Sequence, residues 1–254
     1  MQSEEYRYAL SVAGRPVGEQ HWSVTPDKYH WITRLQTDYL GDYLGGGRQI
    51  QVSRMHPKSR VSASYLETGE GGGRGRTHFE TTFDRSSGLV TLTQKGQGGS
   101  SGSNGGGRDE AQVPMVQDYQ DPLSLLHLLR DLDDEVKWLE VPMVGNAAHV
   151  QRLPDTTLEH AGHTLEVRGF LLRPGRCVVY IEHHAPHRIL RLLQPLETGG
   201  TLEARLLELK APATSREGSG REGSSRERTR SSGPDLTRPE VKTGDKGRGR
   251  RRGR

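Results

Sequence analysis

The pattern of hydrophobic and polar residues repeats every two positions along most of the first 95 residues. The segment at 6–12 has apolar or aromatic side chains at every second position, namely Tyr6, Tyr8, Leu10 and Val12. This alternation is typical of a strand with one buried face. Six further segments of this kind, separated by turn residues, follow at 17–24, 29–37, 48–55, 60–67, 76–83 and 89–94. Seven short strands at this spacing predict an antiparallel meander.

A helical period appears at residues 121–132, DPLSLLHLLRDL. Four leucines fall at positions i, i+3, i+4 and i+7, which is one face of a helix: Leu125, Leu128, Leu129 and Leu132. Asp121 suits the N-cap and Pro122 the first helical position, where no N–H is needed. The pattern predicts one principal helix over 121–132. Because its apolar face must be buried, we expect it to cover a sheet.

Strand patterns resume after the helix, at 135–144, 148–153, 156–160, 163–172, 176–182, 187–193 and 201–210. The last of these could also form a helix, because its leucines do not alternate cleanly. The preceding Thr-Gly-Gly and the surrounding strands favour a final strand. The chain is therefore predicted to be mainly β.

Two segments are too polar to join a core. Residues 96–107, GQGGSSGSNGGG, predict a flexible Gly/Ser loop and lack the spacing of a phosphate-binding P-loop. Residues 212–254 have Leu236 and Val241 as their large aliphatic residues and cannot offset the entropy of ordering. We therefore predict a β-rich domain at 1–211 and a disordered, basic, Gly/Arg/Ser-rich tail at 212–254.

The charge is concentrated in the tail. Residues 212–254 contain 11 Arg and 2 Lys against 6 Asp and Glu, a net charge of +7, which leaves −3 for the rest of a chain of net charge +4. Arginine forks on a glycine-rich backbone suit phosphates. We expect sequence-independent binding of nucleic acid or another polyanion by the residues Lys242, Lys246, Arg248, Arg250, Arg251, Arg252 and Arg254. An anionic membrane or an acidic protein would satisfy the same charges.

Histidines form the most suggestive cluster for chemistry. Five lie close in sequence, at His160, His163, His183, His184 and His187. Histidine and carboxylate can bind zinc, but adjacent histidines on a strand point to opposite faces, so a polar turn is favoured over a metal site. The single cysteine excludes an internal disulfide. We predict no catalytic residues, no metal and no cofactor, and hence no enzyme.

The order of parts resembles the bacterial domain of unknown function 3108 family over about residues 6–209. The resemblance rests on the opening YxYxLSVAGRPVGE hairpin, the FDRSSG turn at 83–88 and the QDPLSLLHLLR helix. It implies a curved antiparallel sheet, half-open like a barrel, with the helix laid against its concave side, and an association with the cell envelope. It implies no catalytic residues.

The concave face of such a half-barrel could hold a ligand. The candidate groove residues are Tyr6, Tyr8, Trp22, Trp31, Tyr65, Phe79, Leu125 and Leu129, although the same side chains could simply fill the core. We expect a non-enzymatic binding protein that acts through its tail. The alternative is a carrier or scaffold, envelope-associated as in the resembled family, for a lipophilic ligand or a partner segment.

The chain shows no secretory signal and no apolar run of membrane-spanning length. A cytoplasmic location is therefore expected, with the envelope left open if the N-terminus was shortened.

Overall fold

The computed structural model of the protein describes residues 3–41, 46–71, 76–95 and 108–207. Within these ranges the chain forms fifteen β-strands and one α-helix. The Gly/Ser loop at 96–107 lies outside them, as do the residues predicted to bind polyanions, Lys242, Lys246, Arg248, Arg250, Arg251, Arg252 and Arg254. The domain boundary near residue 211 therefore stays a prediction.

The first half of the sheet is a meander in which each strand is antiparallel to the next. Its strands are β1 (Glu4–Val12), β2 (Arg15–Pro26), β3 (Trp31–Tyr39), β4 (Gly47–Met55), β5 (Ser62–Glu70), β6 (Thr77–Asp84), β7 (Leu89–Lys95) and β8 (Arg108–Pro114). Helix α1 (Pro122–Arg130) follows β8.

The second half of the sheet is also antiparallel. Its strands are β9 (Trp138–Val141), β10 (Ala148–Arg152), β11 (Thr156–His160), β12 (His163–Arg173), β13 (Cys177–Glu182), β14 (Ile189–Pro195) and β15 (Thr201–Leu206). Strand β12 is long enough to pair with β13 along one edge and with both β10 and β11 along the other.

The two halves are joined by the pairing of the first strand with the last. Strand β1 lies between β2 and β15, with Tyr8 opposite Leu206 and Val12 opposite Leu202. The result is one sheet in the order β8-β7-β6-β5-β4-β3-β2-β1-β15-β14-β13-β12-β10-β9, with β11 beside β12. Strands β8 and β9 thus end the sheet, and α1 is the connection between them.

One hydrophobic core is shared by both halves of the sheet and by α1. Buried side chains from strands and helix belong to the same cluster, including Leu10, Val17, Leu129, Phe170 and Ile181. The face of the sheet that α1 contacts is called the concave face below. No helix among the described residues is both long and apolar enough to cross a membrane.

The predicted fold class is confirmed, because the chain is mainly β with an open, curved antiparallel sheet and one covering helix. Three details differ. The helix ends at Arg130, where Asp131 forms the C-cap, the strand predicted at 135–144 is limited to β9, and β8 was not predicted. Strand β8 reads RDEAQVP and has little apolar alternation. It pairs with β7 through backbone hydrogen bonds and does not bury one face, so the sequence carries no strand pattern here.

Candidate functional site

Buried polar side chains attach the N-terminus of α1 to the sheet. Oδ2 of Asp121 accepts hydrogen bonds from Ser53 Oγ on β4 at 2.6 Å and from Ser62 Oγ on β5 at 2.7 Å. Its Oδ1 caps the helix by accepting from the backbone N–H groups of Leu123 and Ser124. Burial raises the pKa of Asp121, and these hydrogen bonds oppose the shift. One carboxyl group therefore both starts the helix and fixes it to two strands.

His127 makes a second polar contact further along the helix. Its Nε2 lies 2.8 Å from Thr33 Oγ1 on β3, and both groups are buried. Its ring centroid lies 5.3 Å from that of Trp22 and 6.1 Å from that of Trp31. Burial, reinforced by two nearby arginines, lowers the pKa of His127 to about 3. The imidazole is consequently neutral at pH 7 and serves as a structural hydrogen-bonding group.

Two arginines fix the C-terminal end of α1. The guanidinium of Arg130 binds both carboxylate oxygens of Glu4, at 2.7 and 3.0 Å, and donates to the carbonyl oxygens of Pro186 and His187. Arg168 donates to the carbonyl oxygen of Arg130 at 3.0 Å. The bond from Arg168 satisfies a backbone carbonyl that the end of a helix otherwise leaves without a partner, and the bonds from Arg130 tie the helix to β1 and to the turn after β13. Helix α1 is thus held at both ends.

The helix covers only part of the concave face. Thr33, Ser53 and Ser62 mark the covered part, since each bonds to α1 or to its cap. Residues at every second position of a strand share a face, so Gln51 and Gln49 continue that face beyond Ser53 on β4. Neither glutamine bonds to α1, and both are half-buried. We call this region the uncovered part.

Glu67 organises the uncovered part. On β5 it lies opposite Gln51 of β4 and Phe79 of β6. Oε1 accepts a hydrogen bond from Gln49 Nε2 at 2.8 Å, and Oε2 accepts from Gln51 Nε2 at 3.1 Å and from the Tyr65 hydroxyl at 2.7 Å. Gln51 Nε2 also donates to the Tyr65 oxygen at 2.8 Å. These four residues, Gln49, Gln51, Tyr65 and Glu67, are called the Glu67 cluster.

The structure separates the eight predicted groove residues by their burial. Seven are buried in the core: Tyr6, Tyr8, Trp22, Trp31, Tyr65, Leu125 and Leu129. Phe79 is half-buried and lies beside Glu67 in the uncovered part. A ligand touching all eight would have to displace α1, so a groove composed of this set stays a prediction.

Sequence reasoning missed Gln49, Gln51 and Glu67. The signal was present in β4, GRQIQVSRM, where polar residues alternate with Ile50 and Val52. An alternating strand gives no indication of which set faces the core, and the apolar set is the usual choice. Here the pairing of Ser53 with Thr33 on β3 and with Tyr65 on β5 places the polar set on the concave face.

The five histidines are distributed over several environments. Within the described ranges, no group of three or more His, Cys, Asp or Glu side chains has the arrangement to hold a metal ion. His183 lies 3.9 Å from Asp134, and His184 lies 3.4 Å from Glu166. His187 Nδ1 lies 3.2 Å from the carbonyl oxygen of Glu182, in the turn that Arg130 binds. These contacts stabilise the turn between β13 and β14.

Comparison with known proteins identifies a similar fold. No protein-family model and no curated protein sequence matches the chain. Among solved structures, a beta-barrel-like protein of the domain of unknown function DUF1849 from Brucella abortus matches with a TM-score of 0.52 and 7% sequence identity. The match covers 80% of this chain and 95% of that protein. At this identity the likeness shows the fold alone.

The resemblance to the domain of unknown function 3108 family was wrong. The structural neighbour belongs to a different group, and no family model supports the motifs on which the resemblance rested. Those motifs, a β-hairpin, a turn and a capped helix, follow from local physics and can recur in any half-barrel with a covering helix. The envelope association rested on that resemblance and loses its support with it. What these findings support is a β-barrel-like fold.

Proposed function

We propose that the protein is a non-enzymatic binding protein that holds a ligand or a partner segment against the uncovered part of the concave face. One observation carries this proposal. The helix leaves part of that face half-exposed, and the Glu67 cluster there bonds within the sheet instead of to α1. Ligand sites are typically concave surfaces that present a few convergent polar groups. The fold shared with a beta-barrel-like protein is compatible with such a role.

A structural role for the reactive groups under α1 supports the non-enzymatic part of the proposal. Asp121 uses both carboxylate oxygens to hold the helix. The imidazole of His127 is only 2% exposed, so it has little access to a substrate. A general acid or base must reach the proton that it transfers. For the same reason we expect a lipophilic ligand to lie in the uncovered part, beside Phe79, instead of beneath the helix.

A blocking substitution tests this function. Gln49→Trp would place an indole in the uncovered part, and Ile50→Trp would place one on the opposite face of the same strand. A small-molecule library would be screened against the wild-type protein by thermal shift. We expect ligands that stabilise the wild type to lose their effect on Gln49→Trp and keep it on Ile50→Trp. Ligands that stabilise all three proteins equally would contradict a site on the concave face.

Polyanion binding by the tail is a second candidate function, favoured by the net charge of +7 in residues 212–254. If about five phosphates are neutralised, the slope of log affinity against log salt is roughly −4.5. An increase from about 50 to about 200 mM salt would then weaken binding several hundredfold. The binding would depend little on sequence, because phosphate contacts carry no base information.

Two charge-matched variants test the tail. The first replaces the terminal arginines with glutamine, at Arg248, Arg250, Arg251, Arg252 and Arg254. The second replaces five upstream arginines, Arg216, Arg221, Arg226, Arg228 and Arg230. DNA and RNA binding of each full-length variant would be titrated with salt. We expect the first variant to lose most of the affinity and the salt slope. Equal losses in both variants would contradict the assignment of binding to the terminal cluster.

A further inference from the structure

Glu67 differs from Glu4 and Glu182, two other carboxylates shielded from solvent, in the kind of partner that it has. Glu4 pairs with Arg130 at 2.7 Å and Glu182 with Arg188 at 2.8 Å. Among the described residues, no lysine, arginine or histidine forms an ion pair with Glu67, whose partners are the neutral groups of the Glu67 cluster. Carboxylates removed from water are ordinarily paired with a cation. The half-buried Glu67 therefore leaves a negative charge available to a ligand.

Several oxygen acceptors of the Glu67 cluster receive no hydrogen bond from the part of the chain that the structure describes. An ionised carboxylate has about four acceptor positions, and Glu67 uses three, two on Oε2 and one on Oε1. Because a carboxylate only accepts, both glutamines must turn their amide nitrogens toward it. No hydrogen bond from a described residue ends on the side-chain carbonyl oxygen of Gln49 or Gln51. The cluster thus offers oxygen acceptors from three side chains.

Aromatic rings flank these acceptors. Tyr65 donates its hydroxyl to Glu67, and Phe79 lies directly across from Glu67 on the neighbouring strand. Tyr39 is on the concave face of β3, and its pKa is raised by burial and by the charge of Glu67. The faces of aromatic rings attract cations. A carboxylate among aromatic rings and carbonyl oxygens is the chemistry that recognises an organic cation.

We propose that Glu67 is the counter-charge for a ligand that carries a primary ammonium group, with Gln49 and Gln51 accepting its further N–H bonds. An ammonium group has three donors and no acceptor, which is the complement of the free groups of the cluster. An apolar or aromatic substituent on the ligand would pack against Phe79. This inference names the ligand class of the site and rests on the proposed binding function.

A pair of probes of nearly equal shape tests the inference. Benzylammonium carries the charge, and benzyl alcohol replaces it with a hydroxyl. Each would be titrated into the isotope-labelled full-length protein while the side-chain amide signals of Gln49 and Gln51 are followed by NMR. We expect benzylammonium to bind about tenfold or more tightly than benzyl alcohol, because hydrogen bonds between charged partners are roughly twice as strong as neutral ones.

Two matched variants locate the charge. Glu67→Gln keeps the shape of the side chain, and we expect it to weaken benzylammonium binding about tenfold or more while benzyl alcohol is little affected. Glu80→Gln makes the same exchange at an exposed position on the outer face of β6 and should change neither affinity. Thermal unfolding would confirm that both variants fold.

Three outcomes would overturn the inference. Equal binding of the two probes to the wild type would leave the concave-face site intact but show that it does not recognise the ammonium group. If calcium binds the wild type and displaces benzylammonium, and this calcium binding is lost in Glu67→Gln, the site is a metal site instead. If neither probe binds, the ammonium inference fails, and the library screen with Gln49→Trp decides the proposed binding function separately.

Discussion

The covered and uncovered parts of the concave face are built on the same strands but satisfy their polar groups differently. Ser53 bonds across to the cap of α1, whereas Gln51, two positions earlier on the same strand, bonds to Tyr65 and Glu67 within the sheet. The covered groups have their partners within the protein. In the uncovered part, carboxylate and amide oxygens have acceptor positions that no described residue uses.

This difference explains how one face can contribute to stability and also carry the proposed binding site. Buried polar groups stabilise a structure only when their partners are in place, and removal of one partner leaves the other unsatisfied. Half-buried groups can exchange a protein partner for water or for a ligand at small cost. Substitutions in the covered part should therefore unfold the protein, whereas those in the uncovered part should alter binding.

The largest effect is expected from Asp121→Ala. The exchange removes the acceptor of two serine hydroxyls and two backbone N–H groups. We expect a loss of about 3–5 kcal/mol in the free energy of unfolding, measured with denaturant. Asp121→Asn keeps one oxygen acceptor and should cost less. A loss below about 1 kcal/mol for the alanine variant would show that these buried bonds do not hold the helix.

The second largest effect is expected from Arg130→Met, which should lower the free energy of unfolding by about 3 kcal/mol. The exchange leaves the carboxylate of Glu4 without its bidentate partner. The methionine retains much of the apolar stem, so the lost charge dominates the effect. The control is Arg34→Met, at an exposed position on β3, which should change stability by no more than about 0.5 kcal/mol. Similar denaturant midpoints for the two variants would contradict the role of Arg130.

His127 should make stability depend on pH. Its pKa is about 3 when folded against an ordinary value of 6.5. The unfolded chain therefore binds more protons between these values, so the stabilisation is complete above pH 6.5 and decreases as the pH falls. We expect the wild type to lose about 2 kcal/mol more than His127→Gln between about pH 6.5 and about pH 5. Parallel profiles of unfolding free energy against pH for the two proteins would contradict this role of His127. The raised pKa of Asp121 has the opposite effect on the pH dependence of stability, but this effect is the same in the wild type and in His127→Gln.

The smallest effect on folding is expected from Glu67→Gln, at about 1 kcal/mol or less. The glutamine oxygen can still accept from the surrounding donors, and the site is half-buried. Asp121→Asn is the same exchange of carboxylate for amide in the covered part, and it should cost more. If the two exchanges cost the same in denaturant unfolding, the distinction between the covered and uncovered parts loses its energetic basis.

The fold could be predicted from the sequence because its signals are local. The alternation in β1 and the leucine spacing with the Asp121 cap each report one element directly. Strand β8 escaped detection because its polar residues carry no burial pattern. The pairing of β1 with β15 also left no signal, since hydrogen bonds between distant strands are made by backbone groups that every sequence shares.

The candidate site was harder to predict for a related reason. Aromatic residues such as Trp22 and Trp31 look suited to a groove, yet their apolar area makes them core residues first. Gln51 and Glu67 look like solvent-facing residues of half-buried strands. Only the register of β4 and β5 brings them together with Tyr65. Sequence alternation establishes that a strand has two faces, whereas the site depends on which face meets the helix.

The position of β1 in the middle of the sheet has a consequence for biosynthesis. Tyr8 on β1 is translated before its neighbour on β15, Leu206, and all the intervening strands are translated between them. During that interval β1 presents an unpaired edge, of the kind that promotes association with other chains. We expect the nascent domain to remain incomplete until its last strand is translated, so the efficiency of production should depend on protection during this interval as well as on the stability of the finished fold.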